Sequence, residues 1–400
     1  MTQIGLPPSE IPMLPARTLL GPGPSNVDPR VLRAMTQGMI GYLDPDFTKI
    51  MDEVTDLIRR VYKTAEGRTM ALSGTGMSGM EAGLASLLEP GDTVIMCVHG
   101  YFCERLVEIG NRVRANVVPL RSDWGGVFPE EMLEQELKKH KNVKLVCAVH
   151  AETSTGVLQP LEGLSRLAKD HDAMFMVDAV TSLGGVDVAF DDWGMDYAYS
   201  ATQKCLGCPP GLSPVSLSER ALHTARNRTE KPFTWYLDLA MLADYWGWGE
   251  QRVYHHTAPV SMILALREGL RLVLEEGLDN RFKRHAVNAA ALRAGVEALG
   301  LDLVVPAEHR LNQITVVWAP KGIDEADVRT RLLRGHGIEI GAGLGDFAGK
   351  VWRIGLMGES SKQENVIALL SALERILPEV GFEVARGAGV KAAEDALTAA

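Results

Sequence analysis

Between about residues 68 and 220 the sequence alternates short apolar runs with longer amphipathic stretches, and that rhythm restricts the fold more than any other feature. The runs are RTMALSG, TVIMCVHG, ANVVPL, VKLVCAVH, AMFMVDAV and DYAYSATQK. They are apolar on both faces, as strands buried on both sides of a parallel sheet must be, and the intervening stretches have helix length. The expectation is an α/β domain with a mostly parallel sheet. Within it a helix should begin near Ser78, run through GMEAGLASLL and stop at Glu89-Pro90-Gly91-Asp92, where proline and glycine prevent continuation.

Two long helical segments follow between residues 258 and 300, each closed by glycine, and read as the bridge to a second unit. Beyond them LDLVVP, NQITVVWAP, a helix from Asp324 to about Leu333, IEIGAG, KVWRIGLMG and a last helix through NVIALLSALERIL make a smaller α+β domain. The expected division is an N-terminal arm at 1–20, a large domain at 21–260, a small C-terminal domain at 261–382 and an Ala- and Gly-rich tail at 383–400 that frays.

Charge and cysteine usage narrow what this fold can serve. With 41 basic against 51 acidic side chains the net charge is −10, so there is no cationic excess to neutralise a nucleic-acid backbone. No stretch reaches the roughly 18 apolar residues of a membrane span, and the proline-rich start lacks a cationic-then-apolar leader. Five cysteines cannot all pair, and Cys97 and Cys147 lie inside apolar runs, which fits a reducing cytoplasm.

Ligands of parallel α/β sheets bind beyond the carboxyl ends of the strands, so the polar residues that follow each run are the candidates for chemistry. Gly74-Thr75-Gly76-Met77-Ser78-Gly79 follows a strand and opens a helix, placing free amide groups and a helix dipole where a phosphate would sit. The same G-x-G-x-x-G admits a nicotinamide dinucleotide, but the next strand ends in His99-Gly100 and not in the acidic residue that a ribose requires. Asp178 closes an apolar run, where a lone carboxylate is costly unless it caps a turn or meets a cation or proton donor. Lys204 lies between a polar strand end and Pro209-Pro210-Gly211, a setting in which desolvation frees the neutral amine to form a Schiff base. Cys205-x-x-Cys208 lacks a second pair and reads as packing, and adjacent His255 and His256 point different ways and form no metal motif. Trp235, Tyr236, Trp246 and Trp248 read as an interface or core segment. A phosphate cradle, a carboxylate for a pyridinium nitrogen and a Schiff-base lysine, each after a successive strand, are together the requirements of pyridoxal 5′-phosphate.

With these residues in place the chain resembles the class V (fold-type I) aminotransferases, in particular the alanine–glyoxylate, serine–glyoxylate and serine–pyruvate enzymes. The resemblance rests on Gly21-Pro22-Gly23-Pro24-Ser25-Asn26, Ser73-Gly74-Thr75-Gly76, Glu152-Thr153-Ser154-Thr155-Gly156 and Val177-Asp178-Ala179-Val180-Thr181-Ser182. Gln203-Lys204 with Pro209-Pro210-Gly211, Tyr254-His255-His256-Thr257 and Trp352-Arg353-Ile354-Gly355 complete it. It implies Lys204 as Schiff-base lysine and proton shuttle and Asp178 as partner of the pyridine nitrogen. It further implies Thr75, Gly76 and Gln203 as phosphate ligands, and Thr153 as the hydroxyl residue near the ring oxygen. Tyr254 and Thr257 would reach the phosphate of a neighbouring subunit, making a homodimer the active unit, and Arg353 would grip the substrate carboxylate.

Two positions depart from the family pattern. Phe102 stands where a tryptophan often stacks on the cofactor ring, and Met77 stands where relatives carry a polar residue or histidine. With one arginine for one carboxylate and no evident second cationic clamp, the substrates implied are L-alanine or L-serine and glyoxylate or pyruvate. The alternatives are another class V enzyme acting on a different small amine, or a non-catalytic subunit that keeps the fold; a desulfurase would need a mobile loop cysteine that none of the five provides.

Overall fold

A computed structural model describes residues 14–399, so the first part of the expected arm and Ala400 lie outside the described residues. The strands in chain order are β1 (Thr18–Leu20), β2 (Arg68–Ser73), β3 (Thr93–Val98), β4 (Asn116–Arg121), β5 (Val143–Val149), β6 (Ala151–Glu152), β7 (Val157–Leu158), β8 (Met174–Asp178), β9 (Tyr197–Tyr199), β10 (Leu212–Leu217), β11 (Ile314–Trp318), β12 (Ile338–Ala342) and β13 (Val351–Gly355). The large sheet has the order β2-β10-β9-β8-β5-β3-β4. From β9 to β4 every pairing is parallel. Its central strands are apolar because both faces are covered, and Leu145, Val146, Met176 and Val177 are all fully buried.

The sheet is mostly parallel as expected, and its one strand absent from the sequence reading, β10, runs antiparallel between β2 and β9. Its sequence LSPVSL contains Pro214, which lacks an amide hydrogen and so argues against an interior strand. The strand is tolerated because the Pro214 carbonyl stays in use, accepting from Ser200 N–H at 2.8 Å and the Tyr62 hydroxyl at 3.0 Å.

The smaller sheet has the order β1-β12-β13-β11, so the stretch just before Gly21 is an edge strand of the C-terminal unit. Of the two long helices, Val260–Glu276 buries Ile263, Leu266, Leu270 and Val273 in the large core, and Leu278–Ala298 buries Leu292 and Val296 in the small one. The stretch read as a fraying tail contains a helix. Residues Ala388–Thr398 form a helix whose first amides bond the Glu374 carboxylate at 2.8–3.1 Å, and Gly389 and Gly295 let it approach the helix Leu278–Ala298 closely. Small residues that read as a loose tail serve here as a helix-packing surface.

Candidate active site

The carboxyl ends of β2, β5, β8 and β9 open into a cavity of about 150 Å³ lined by Thr75, Gly76, Met77, Phe102, Thr153, Asp178, Gln203 and Lys204 among others. Eight of the residues singled out in the sequence thus meet in one place, because register sets Val149, Asp178 and Tyr199 side by side at the strand ends.

Asp178 is buried, with Oδ1 accepting Val180 N–H at 2.8 Å and Oδ2 accepting the Tyr199 hydroxyl at 2.6 Å. It therefore caps a turn and also has a proton-donating partner. Desolvation raises its pKa to about 6 against the opposing pull of those two hydrogen bonds. Tyr199 escaped the sequence reading, although a residue facing Asp178 across the next strand was the natural place to seek the donor.

Lys204 projects from a closed loop. Gly207 N–H bonds the Lys204 carbonyl at 3.0 Å, Cys208 N–H the Thr202 carbonyl at 3.0 Å, and Thr202 Oγ1 donates to the Pro209 carbonyl at 2.7 Å. Residues 21–26 pass over it, Ser25 bonding the carbonyls of Gln203 and Lys204 at 3.0 and 3.1 Å and Pro22 accepting from Lys204 Nζ. A Cβ on Gly23, whose φ is +114°, would lie 2.5 Å from that Nζ, so only glycine lets the chain cross the amine. Desolvation first, and the Arg353 charge second, lower the Lys204 pKa to about 8. Cys205 and Cys208 are buried and unpaired, and burial raises both thiols to about 12, so the C-x-x-C is packing beside this loop.

The glycine-rich turn divides its labour. Gly74 supplies the left-handed φ of +130°, and Gly79 gives room for the helix Gly76–Leu87 to lie on the sheet, where a Cβ would come within 2.3 Å of Ser213 Oγ. Thr75, the N-cap, makes no side-chain cap bond, so its hydroxyl and the helix dipole face outward together. Gln203 Oε1 is buried without a partner among the described residues. An open helix start, a cavity-lining lysine and a buried carboxylate fit the phosphate, aldehyde and ring nitrogen of pyridoxal 5′-phosphate. A nicotinamide dinucleotide needs neither Asp178 nor Lys204.

Phe102 and Val180 both line the cavity and supply its apolar walls. Phe102 is set by Glu152, whose buried carboxylate accepts Phe102 N–H at 3.1 Å and both Ser154 N–H and Oγ, at 2.9 and 2.7 Å. That carboxylate stands at the start of the helix Tyr101–Arg112 and supplies the anion its N-cap, Gly100, cannot. Met77 is contacted by Arg105 Nη1 at 3.5 Å, and this guanidinium, 5.1 Å from the Phe102 ring centre, lines the cavity too. Arg105 is the second cation that the sequence did not reveal.

Arg353 lies on β13, only 6% exposed, and bonds two carbonyls: Ala342 O at 2.6 Å and Thr153 O at 3.3 Å. Among the described residues no carboxylate lies within ion-pair distance, so it is not half of a structural salt bridge. Desolvation lowers its pKa to about 10, and a buried cation left in this state favours an incoming anion.

Tyr254 and Thr257 lie outside this cavity. Both are exposed, Tyr254 stacking on Tyr42 with ring centres 5.5 Å apart. Of the aromatic stretch nearby, Trp246 is buried and Trp248 donates to Thr69 O at 2.8 Å, whereas Trp235 and Tyr236 remain exposed. His255 and His256 do not point apart: their rings are perpendicular, but the two Nδ1 atoms meet at 2.8 Å. Among the described residues no cluster of ligating side chains suits a metal, and no helix is long and apolar enough to cross a membrane.

Residues 18–361 match the family described as aminotransferase class-V. The chain is similar to the crystal structure of ureidoglycine–glyoxylate aminotransferase from Bacillus subtilis, with 43% identity, coverage of 97% and 100% of the two chains and a TM-score of 0.94. It is similar also to the alanine–glyoxylate aminotransferase of a Nostoc species, at 48% identity over 94% and 98% with a TM-score of 0.89. Alanine–glyoxylate aminotransferase of Callithrix jacchus is 42% identical over 91% of this chain and 88% of its own. A cysteine desulfurase structure from Thermococcus onnurineus shares the fold at 16% identity with a TM-score of 0.71.

Proposed function

The chain belongs to the class-V aminotransferases, which depend on pyridoxal 5′-phosphate, and from that premise we propose that it transfers the amino group of a small L-amino acid, alanine or serine, to glyoxylate or pyruvate through Lys204. The observation that carries this reading is the meeting of Asp178 and Lys204 in one buried cavity, with the guanidinium of Arg353 adjoining it and free of any ion pair among the described residues. Glyoxylate is favoured as acceptor because it appears in the names of the relatives most similar over the whole chain. A second reading takes (S)-ureidoglycine as donor, on the strength of the Bacillus subtilis relative at 43% identity over 95% of both chains.

When bound, pyridoxal 5′-phosphate supplies the aldehyde that carries the amino group and a ring that accepts charge from the substrate Cα. Lys204 is the nucleophile and the base at that carbon. A pKa of about 8 leaves about one amine in four neutral at pH 7.5, against about one in a thousand for an ordinary lysine. Asp178, anchored by Tyr199 and Val180, would set a negative charge against the ring nitrogen of the bound group and so hold a proton there. Arg353 takes the substrate carboxylate in its fork, with its Nε and Nη1 already fixed by backbone carbonyls. Thr75, the amides of Gly76 and Met77 and the side-chain NH₂ of Gln203 would donate to the phosphate, and Phe102, Thr153 and Val180 would line the ring. Tyr254 and Thr257 serve the phosphate of a second copy, and their exposure in the single chain supports a homodimer. The unpaired thiols support a cytoplasmic location.

Borohydride reduction of the yellow protein followed by peptide mapping tests the assignment. Cofactor fixed on Lys204 is expected; cofactor on another lysine would refute it. A donor panel with glyoxylate then separates the substrates, turnover of alanine or serine supporting the first reading and exclusive turnover of ureidoglycine the second.

A further inference from the structure

Ser73 ends β2 immediately before the phosphate turn, and its Oγ lies 2.7 Å from His256 Nε2. His256 Nδ1 is 2.8 Å from His255 Nδ1, and His255 Nε2 is 3.2 Å from the Trp235 carbonyl oxygen. The proton positions along this row follow from chemistry alone. A carbonyl only accepts, so His255 carries its hydrogen on Nε2 and, as a neutral ring, leaves Nδ1 bare. The single hydrogen between the two Nδ1 atoms then belongs to His256, whose own Nε2 is bare and accepts the Ser73 hydroxyl. Every group has one partner and one direction.

We propose that Ser73, His256 and His255 are positioning residues that form a strut seating residues 252–257 against the end of β2, so that the phosphate turn a chain uses and the segment it lends to its partner are held as one piece. This rests on the reading that Tyr254 and Thr257 serve a partner's phosphate. The rings are clamped from three sides. Trp235 lies flat on His255, 4.2 Å between centres and 8° from parallel, and Tyr236 and Tyr245 pack on His256 at 5.0 and 5.1 Å.

The surroundings favour the neutral rings. From the element before the helix Leu239–Tyr245, Asp238 is the one acid whose field reaches His255, and its carboxylate is already engaged by Ala240 N–H at 2.9 Å. On the segment itself Arg252 is paired with Asp52 of the helix Pro45–Val61, and Tyr245, Tyr254 and Tyr42 bring neutral phenols. Burial holds both imidazoles below their ordinary value, His256 at about 4. In acid, a proton on His256 Nε2 would force the Ser73 hydroxyl to turn and accept, reversing the row at the phosphate turn.

Two variants separate hydrogen bonding from bulk. In His256→Gln the amide oxygen can accept from Ser73 and the NH₂ can donate to His255, and no charge can form. His256→Phe keeps the ring and loses both bonds. The holoenzyme's cofactor dissociation constant, followed by absorbance on dilution, is expected to rise about tenfold in the Phe variant and to change less than about twofold in the Gln variant, which also loses the wild-type weakening as pH falls toward about 4. Histidine ¹⁵N shifts should place the hydrogen of His256 on Nδ1. A Phe variant that binds like wild type, a Gln variant as weak as Phe, or a hydrogen on Nε2 at neutral pH would overturn the strut. If Tyr254→Phe with Thr257→Val leaves cofactor affinity unchanged, the reading of these two residues fails and the strut's purpose with it. If that pair loses affinity and His256→Phe does not, the strut alone fails.

Discussion

The sheet wall of the cavity and the segment at residues 252–257 carry similar chemistry, hydroxyls and rings suited to an anionic ligand, yet one is buried and the other exposed. Asp178 and Lys204 are enclosed by their own chain, Asp178 through Tyr199 and Val180 and Lys204 through residues 21–26. Tyr254 is 54% exposed and rests on Tyr42. A residue that one chain finishes can be recognised by its burial and its perturbed ionisation; a residue that a second copy finishes looks like ordinary surface. The difference predicts that variants of the wall fail outright and those of the exposed segment fail by degrees.

The largest effect is expected for Lys204→Ala, which removes nucleophile and base together and should lower kcat by at least about 10³-fold, measured in single half-reactions with excess alanine. Asp178→Asn keeps the turn bond from Val180 and loses the charge, so a loss of about 10²-fold in kcat with intact folding is expected from the same assay. Arg353→Gln should raise KM for the amino donor about 30-fold while kcat falls less, since the guanidinium makes its contribution in ground and transition states alike. Tyr254→Phe with Thr257→Val should weaken the cofactor about tenfold without shifting the unfolding transition, as exposed hydroxyls hold nothing within their own chain. Any of these in reverse order would erase the contrast between the two regions.

Acid sharpens the same contrast with opposite signs. Asp178 has a folded pKa of about 6, above its ordinary 3.8, so its contribution to stability is fully present below 3.8 and is lost as pH rises through about 6. His256 has a folded value of about 4, below 6.5, so its contribution is present above 6.5 and is lost as pH falls through about 4. In the cofactor-free protein, Asp178→Asn should be more stable relative to wild type at pH 7.5 than at pH 5, and His256→Gln more stable relative to wild type at pH 5 than at pH 7.5. Thermal unfolding at the two pH values checks both.

Much of this was legible in the sequence for a physical reason. Strands buried on both faces must be continuously apolar, so a polar residue that ends one, such as Asp178, stands out, and a parallel sheet fixes where it must point. What could not be read depended on partners remote in sequence. Tyr199 looks like any core tyrosine until register sets it opposite Asp178, and Glu152 acts on Phe102 across 50 positions. Arg105 is one arginine on an amphipathic helix until the turn at Met77 is folded against it. β10 was hidden because Pro214 stands in an interior strand, where a proline is not expected. The terminal helix was hidden because Gly389 signals looseness in sequence and close packing in space.

The exchange of the exposed segment between two copies can be measured by mixing subunits. A Lys204→Ala chain and a Tyr254→Ala, Thr257→Ala chain, each feeble alone, are unfolded and refolded together in equal amounts with cofactor. If the segment serves the partner, half of the dimers regain one wholly intact site, and activity returns to about a quarter of wild type. If it serves its own chain, every site in the mixture carries a defect, and activity stays at the average of the two parents.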